Sequence, residues 1–280
     1  MRTRVNANEV QSFEPFAEEP AYIKLNVQMV DRLLARLKGR SNVRLIDLAA
    51  GTGLMTSIAY DRARAAGIDL ESTLLDLDLA ALFVARQEIG AKGSLLLFAS
   101  ADQLPLKKVF DLAIFANGLH LLDDEAKKRA LAETRRVLHP EGLLAVNTTF
   151  YEGAYPEESK PFYGRWMRRA IAEINRRLPG REKSEKVQAM EWLPAAGYRD
   201  LIEGAGFKIV EMRERRVRLS QAAVRAISSY KEFAKGALHA TDQDADEASR
   251  ALQVTVQQTF RDLKMKYLPR NWLEIVAVKA

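Results

Sequence analysis

The stretch Val43-Arg44-Leu45-Ile46-Asp47-Leu48-Ala49-Ala50-Gly51-Thr52-Gly53 joins a short apolar run to a bend of small residues. An apolar run bounded by glycines reads as a buried strand entering a tight loop. Residues 54–66 then read as a helix stopped by Gly67. Outward from this unit, apolar runs at 72–76, 94–98, 110–115 and 143–147 alternate with helical patterns at 79–89 and 125–138. The last of these strands is reached through His139-Pro140-Glu141-Gly142, which reads as a turn. Strands alternating with helices require parallel pairing through right-handed crossovers, so the expected fold is α/β, a doubly wound, mostly parallel sheet.

Tyr22, Leu25, Met29, Val30, Leu33, Leu34 and Leu37 recur at helical spacing ahead of the first strand. Beyond residue 150 the alternation breaks, and residues 151–195 read as helical, basic and aromatic. It resumes at Ala205-Gly206-Phe207 and a strand over 208–219, followed by a helical stretch at 221–266 and an apolar strand at 272–278. The expected organisation is an N-terminal helical segment (1–40) covering the ligand site, an α/β core (41–150), a helical cap (151–195) and a C-terminal completion of the sheet (196–280).

Composition excludes several classes. The 280 residues are 48% hydrophobic and 29% charged, so the chain buries a core. No apolar run approaches the roughly 18 residues needed to cross a bilayer. There is no cysteine, which removes disulfides, thiolate metal sites and thiol nucleophiles. His120, His139 and His239 stand far apart, and no metal is expected. The first residues lack the apolar core of a secretory signal, and a cytoplasmic location is expected.

Ala49, Gly51 and Gly53 let a ligand approach the backbone closely. Three ligand classes use such a loop. No Lys follows Gly53, which argues against a phosphate-cradling P-loop. Thr56 stands where a dinucleotide fingerprint has its third Gly or Ala. A carboxylate at Asp47, inside the strand, instead suits a cationic ligand such as an ammonium. The second strand ends in Asp76, twenty-five residues after Gly51, where an acid accepts hydrogen bonds from a ribose diol; Asp78 is the alternative.

Five segments in order carry a resemblance: 45–53; 75–78 running on to 85–86; Ser100-Ala101-Asp102-Gln103-Leu104-Pro105-Leu106; Phe110-Asp111-Leu112-Ala113-Ile114; and Arg136-Val137-Leu138-His139-Pro140-Glu141-Gly142-Leu143. With them the sequence resembles the class I S-adenosylmethionine-dependent methyltransferases over about residues 40–150. The resemblance implies a seven-stranded sheet with its last strand antiparallel, and a product S-adenosylhomocysteine. It implies that Asp47 and the loop of Ala49, Gly51 and Gly53 hold the methionine end of S-adenosylmethionine, with Asn117 lining that side, Asp76 the ribose, and Leu77, Ser100 and Ala101 the adenine; Tyr22 is a further candidate cofactor contact. Ala49 replaces the usual first glycine, and Ser100 stands where an Asp is usual.

A methyl sulfonium is already activated, so the protein mainly positions a nucleophile and excludes water. His120 is the candidate base. Tyr151, Tyr155, Tyr163 and Trp166, with His239 from the added helix, are the candidate acceptor wall. Between 165 and 186 eight basic residues outnumber three acidic ones, a face that suits an anionic acceptor. The expected function is methyl transfer to O, N or C of a small metabolite. An RNA or protein methyltransferase and a non-catalytic cofactor-binding protein are the alternatives, with nucleic acid disfavoured by the modest charge of +6.

Overall fold

The computed structural model describes residues 16, 19–107, 110–184 and 191–280. Helix α1 (Pro20–Arg36) precedes β1 (Asn42–Leu48), α2 (Leu54–Ala65), β2 (Asp69–Asp76), α3 (Leu79–Ile89), β3 (Leu95–Phe98) and β4 (Phe110–Ala116). Then come α4 (Asp124–Val137), β5 (Leu138–Thr148), α5 (Lys160–Arg177), α6 (Ala195–Gly204) and β6 (Phe207–Leu219). Helices α7 (Gln221–Ile227), α8 (Lys231–Leu238) and α9 (Ala245–Asp262) lead to β7 (Leu268–Lys279). Most of residues 1–18, and Glu185 and Lys186 of the expected basic face, lie outside the described residues.

Strand order is β3-β2-β1-β4-β5-β7-β6, parallel except for β7, which runs antiparallel to both neighbours. The doubly wound, seven-stranded sheet expected from the sequence is the one observed. Alternation along β1 explains its burial on both sides. Val43 and Leu45 pack with α1 and α2, while Ile46 and Leu48 pack with α4 and α6. Asp47 therefore points to the α2 side.

Three expectations change. The turn at 139–142 is a bulge inside β5, because Leu138 already pairs with Phe110 and the register shifts before Leu112 meets Leu143. Residues 151–195 are not helical throughout: α5 stops at Leu178-Pro179-Gly180, where Pro cannot continue the helix and Gly180 takes a φ of 75°. The stretch 221–266 is three helices rather than one. One break follows Ser228, and another lies at His239, whose φ of 49° ends α8.

The helices α5, α7, α8 and α9 share one apolar cluster, which includes Phe162, Trp166, Phe233, Leu252 and Phe260, with Trp272 of β7 beneath it. The cap is thus built from two separated parts of the chain.

Candidate active site

Beyond β1 the chain passes to β2 on one side, and beyond β4 to β5 on the other, so a crevice opens between their carboxyl ends. It holds a cleft of about 730 Å³, within the range of small-molecule sites. Ala49, Ala50, Gly51 and Thr52 form one wall, Asn117, Gly118, His120 and Leu121 the other. Asp76 to Ala81 close one end, and Tyr22, Phe150 and Tyr230 the opposite side. Ala49 and Asn117 face each other with left-handed φ values of 52° and 50°. Such non-glycine outliers persist where surrounding contacts hold them. Here the Asn117 amide donates to the Asn147 carbonyl at 2.7 Å, and any Cβ on Gly118 would lie 2.6 Å from the Ala49 methyl.

Asp47 and Asp76 sit in this cleft without a cationic partner among the described residues. Asp47 is 1% exposed and accepts from the Thr56 hydroxyl at 2.7 Å. Burial pushes its pKa up to about 7. Asp76 accepts the amides of Gly51 at 2.7 Å and Asp78 at 2.8 Å, and burial raises its pKa as well. Asp78, also on the cleft wall, caps α3 by accepting the amides of Ala80 and Ala81. The Asn117 side-chain amide donates to the Tyr22 hydroxyl at 2.9 Å, and its carbonyl accepts the Thr149 amide at 3.0 Å. His120 stacks on Phe150 with ring centres 3.9 Å apart, and its Nδ1 has no partner among the described residues. Burial, with Lys127 nearby, lowers its pKa to about 3, so the ring is neutral.

Residues 45–142 match a family model described as a methyltransferase domain. Malonyl-[acyl-carrier protein] O-methyltransferase of Geobacter sulfurreducens is 32% identical over 200 residues, 70% of this chain and 68% of that protein. The chain belongs to the class I S-adenosylmethionine-dependent methyltransferases. Demethylmenaquinone methyltransferase of Chlamydia pneumoniae is 34% identical over 48% of this chain, which spans about half of it (54%). An S-adenosylmethionine-dependent methyltransferase of G. sulfurreducens, solved with S-adenosylhomocysteine, shares the fold at 16% identity and a TM-score of 0.52, over 90% of this chain and 91% of that one.

The donor set of this methyltransferase fits its cofactor. S-adenosylmethionine carries an ammonium and a ribose diol, and the cleft presents two uncompensated carboxylates, one buried at its floor and one at the end of β2. Several expected contacts fall elsewhere. Gly53 does not line the cleft; a Cβ there would lie 2.4 Å from Ile89 Cδ1, so it lets α2 and α3 pack. Ser100 and Ala101 do not line it either. The Ser100 hydroxyl donates to Asp102, whose carboxylate is held by the Arg129 guanidinium on α4.

Next to the cleft lies a slot of about 20 Å³, room for roughly one water. Its walls include Phe16, Tyr163, Trp166, Ile227, Phe233 and Arg270, and Asn117 and Phe150 line it together with the cleft. Tyr155 lies behind Tyr163, with ring centres 4.1 Å apart. Tyr151 is fully buried in the main core and lines neither space. His239 is exposed at the end of α8, so it is a helix stop rather than an acceptor contact. The basic face of α5 is largely paired: Arg169 with Asp262, and Arg176 and Arg177 with Glu173. Arg181 donates to the carbonyls of Leu238 and His239.

Sequence reading missed Thr149, Phe150, Tyr230, Arg270 and Trp272. A signal existed for Arg270, a cation within an apolar strand, which is the mirror image of the sign read at Asp47.

Proposed function

We propose that this methyltransferase moves the methyl group of S-adenosylmethionine to a small-molecule acceptor seated where cleft and slot meet. One observation carries the reading: Asn117 and Phe150 belong to both walls, so an acceptor in the slot abuts the methionine side of the cleft. In this reading Asp47 meets the cofactor's ammonium, Asp76 accepts from both ribose hydroxyls, and Leu77 covers the adenine. Tyr163 and Trp166 form the acceptor's apolar wall, and the shared wall holds the nucleophile in line with the methyl carbon. His120, neutral and beside Phe150, offers a hydrogen-bond acceptor to the incoming group.

The names of the G. sulfurreducens and C. pneumoniae relatives support a metabolic acceptor. The pairing of the α5 arginines argues against a nucleic-acid track, which needs free cations along a groove. No helix among the described residues is long and apolar enough to cross a membrane. A cytoplasmic setting belongs to the same proposal, because the reaction needs a compartment that supplies the cofactor.

Incubating the protein with methyl-labelled cofactor and a fractionated cell extract tests the reading. Label in a low-mass product, resistant to nuclease and protease, is expected. Label in RNA or protein overturns it, as does cofactor retention without methyl loss in every fraction.

A further inference from the structure

Arg270 lies in β7, opposite Val217 of β6, in a strand that is otherwise largely apolar. It is 5% exposed and lines the slot. No carboxylate of the described residues lies within ion-pair reach of it. Its Nε donates to the Thr149 hydroxyl at 2.7 Å, Nη2 to the Thr149 carbonyl at 3.0 Å, and Nη1 to the Tyr163 hydroxyl at 2.9 Å. The guanidinium carbon sits 4.5, 5.7 and 5.8 Å from the ring centres of Tyr155, Tyr163 and Trp192. A buried cation is costly unless it is both hydrogen-bonded and matched by opposite charge. Here neutral oxygens and ring faces hold its orientation, and its charge remains unmatched.

A guanidinium has five N–H donors; three make the bonds above, and the Tyr155 hydroxyl is a further hydrogen-bond partner. N–H groups left on the terminal nitrogens can donate to carboxylate oxygens, whose negative charge matches the guanidinium. The aromatic walls around them suit a flat apolar body.

We propose that Arg270 is the anchor for a carboxylate carried by the acceptor, so that the substrate class is flat, apolar carboxylic acids in their anionic form. This rests on the acceptor site proposed above. It also moves the basis of an anionic acceptor from the surface of α5 to a buried group. Thr149 links the anchor to the cleft: it accepts from Arg270 and donates its amide to Asn117, which in turn bonds Tyr22. An anion seated on Arg270 therefore bears on the same residues that border the cofactor.

The test uses protein saturated with S-adenosylhomocysteine, titrated calorimetrically with benzoate, 4-hydroxybenzoate and 1-naphthoate, and with the matching amides. At least one carboxylate is expected to bind at micromolar to low millimolar concentration, and its amide about thirtyfold more weakly or not at all. Arg270→Met is expected to lose at least about thirtyfold in carboxylate affinity, and Arg270→Lys to keep part of it. Circular dichroism spectra and melting temperatures close to those of the parent show that both variants fold. Equal affinity for acid and amide overturns the proposal, as does carboxylate binding undiminished in Arg270→Met, or no carboxylate binding to the parent. Should Arg270→Met fail to fold, Arg270→Lys and the acid–amide comparison decide. Failure of the parent to bind S-adenosylhomocysteine would instead strike the acceptor-site reading itself.

Discussion

Asp47 shows how a single residue sets the behaviour of the site. Burial lifts its pKa to about 7, against 3.8 for a free side chain. Between those values the folded, ligand-free chain binds a proton that the unfolded chain has released. Stability therefore falls as pH rises through this window and levels off above it. An ammonium ligand favours the ionised form, so cofactor binding has the opposite slope. Affinity for S-adenosylhomocysteine is expected to rise with pH up to about 7, by at most tenfold per unit, and then to flatten. Asp47→Asn should lose most of that slope; calorimetry from pH 5.5 to 8 checks both, and an unchanged slope in the variant removes the proposed ammonium contact. Asp47 was legible because a charge inside an apolar run has few structural reasons to be there. Arg270 carried the same signal and was missed, because its partners Thr149 and Tyr163 stand more than a hundred residues away in the chain. Gly53 was legible as a required glycine: it takes a φ of 85°, and an added Cβ would lie 2.4 Å from Ile89 Cδ1.

Helix α1 brings Tyr22 to the cleft; its buried face, with Met29, Val30 and Leu33, packs in the core, and ion pairs add a second attachment. Arg32 pairs with Glu211 of β6 at 2.9 Å and with the buried Glu274 of β7, and Arg36 adds a second bond to Glu211 at 3.0 Å. Removing one partner of a buried pair strands the other charge, at a cost of about 3 kcal/mol. Arg32→Met is thus expected to lower the melting temperature by about 5–10 °C at neutral pH. Burial already raises the pKa of Glu274, and without Arg32 it rises further, so the deficit should shrink as pH falls toward 5 and the carboxyl protonates. Melting curves at pH 5 and 7.5 check this, and a deficit independent of pH would mean that packing, not the stranded charge, is lost. The helix itself was plain from its apolar spacing, whereas its ion pairs link residues 179 and 242 positions apart and have no local signature. The core strands were equally plain, since each is a short apolar run. The cap was not, because helical periodicity continues across both breaks, which show only in the extended ψ of 112° at Tyr230 and the left-handed φ of 49° at His239.

Across the whole molecule the sheet and the cap are separate apolar clusters that meet at Trp272, and the slot lies along that seam. Its free volume of about 20 Å³ is too small for a flat acid, so the proposed acceptor enters only if one wall moves. The sheet side cannot yield easily, because Thr149, Arg270 and Trp272 belong to or adjoin strands paired on both sides. The other side is carried by Val224 and Ile227 of α7 and Phe233 of α8, helices of only seven and eight residues. Short helices with few backbone bonds open at lower free energy than a sheet interior. Amides of residues 221–238 are therefore expected to exchange with solvent at least about tenfold faster than those of β1, β4 and β5. S-adenosylhomocysteine alone should protect the loops at 49–53 and 117–121, whereas protection of 221–238 should require an acid bound in the slot. Hydrogen exchange followed by mass spectrometry measures all three regions together. If 221–238 exchanged no faster than the central strands, the slot would open only with the whole fold, and the acceptor would have to lie within the 730 Å³ cleft instead.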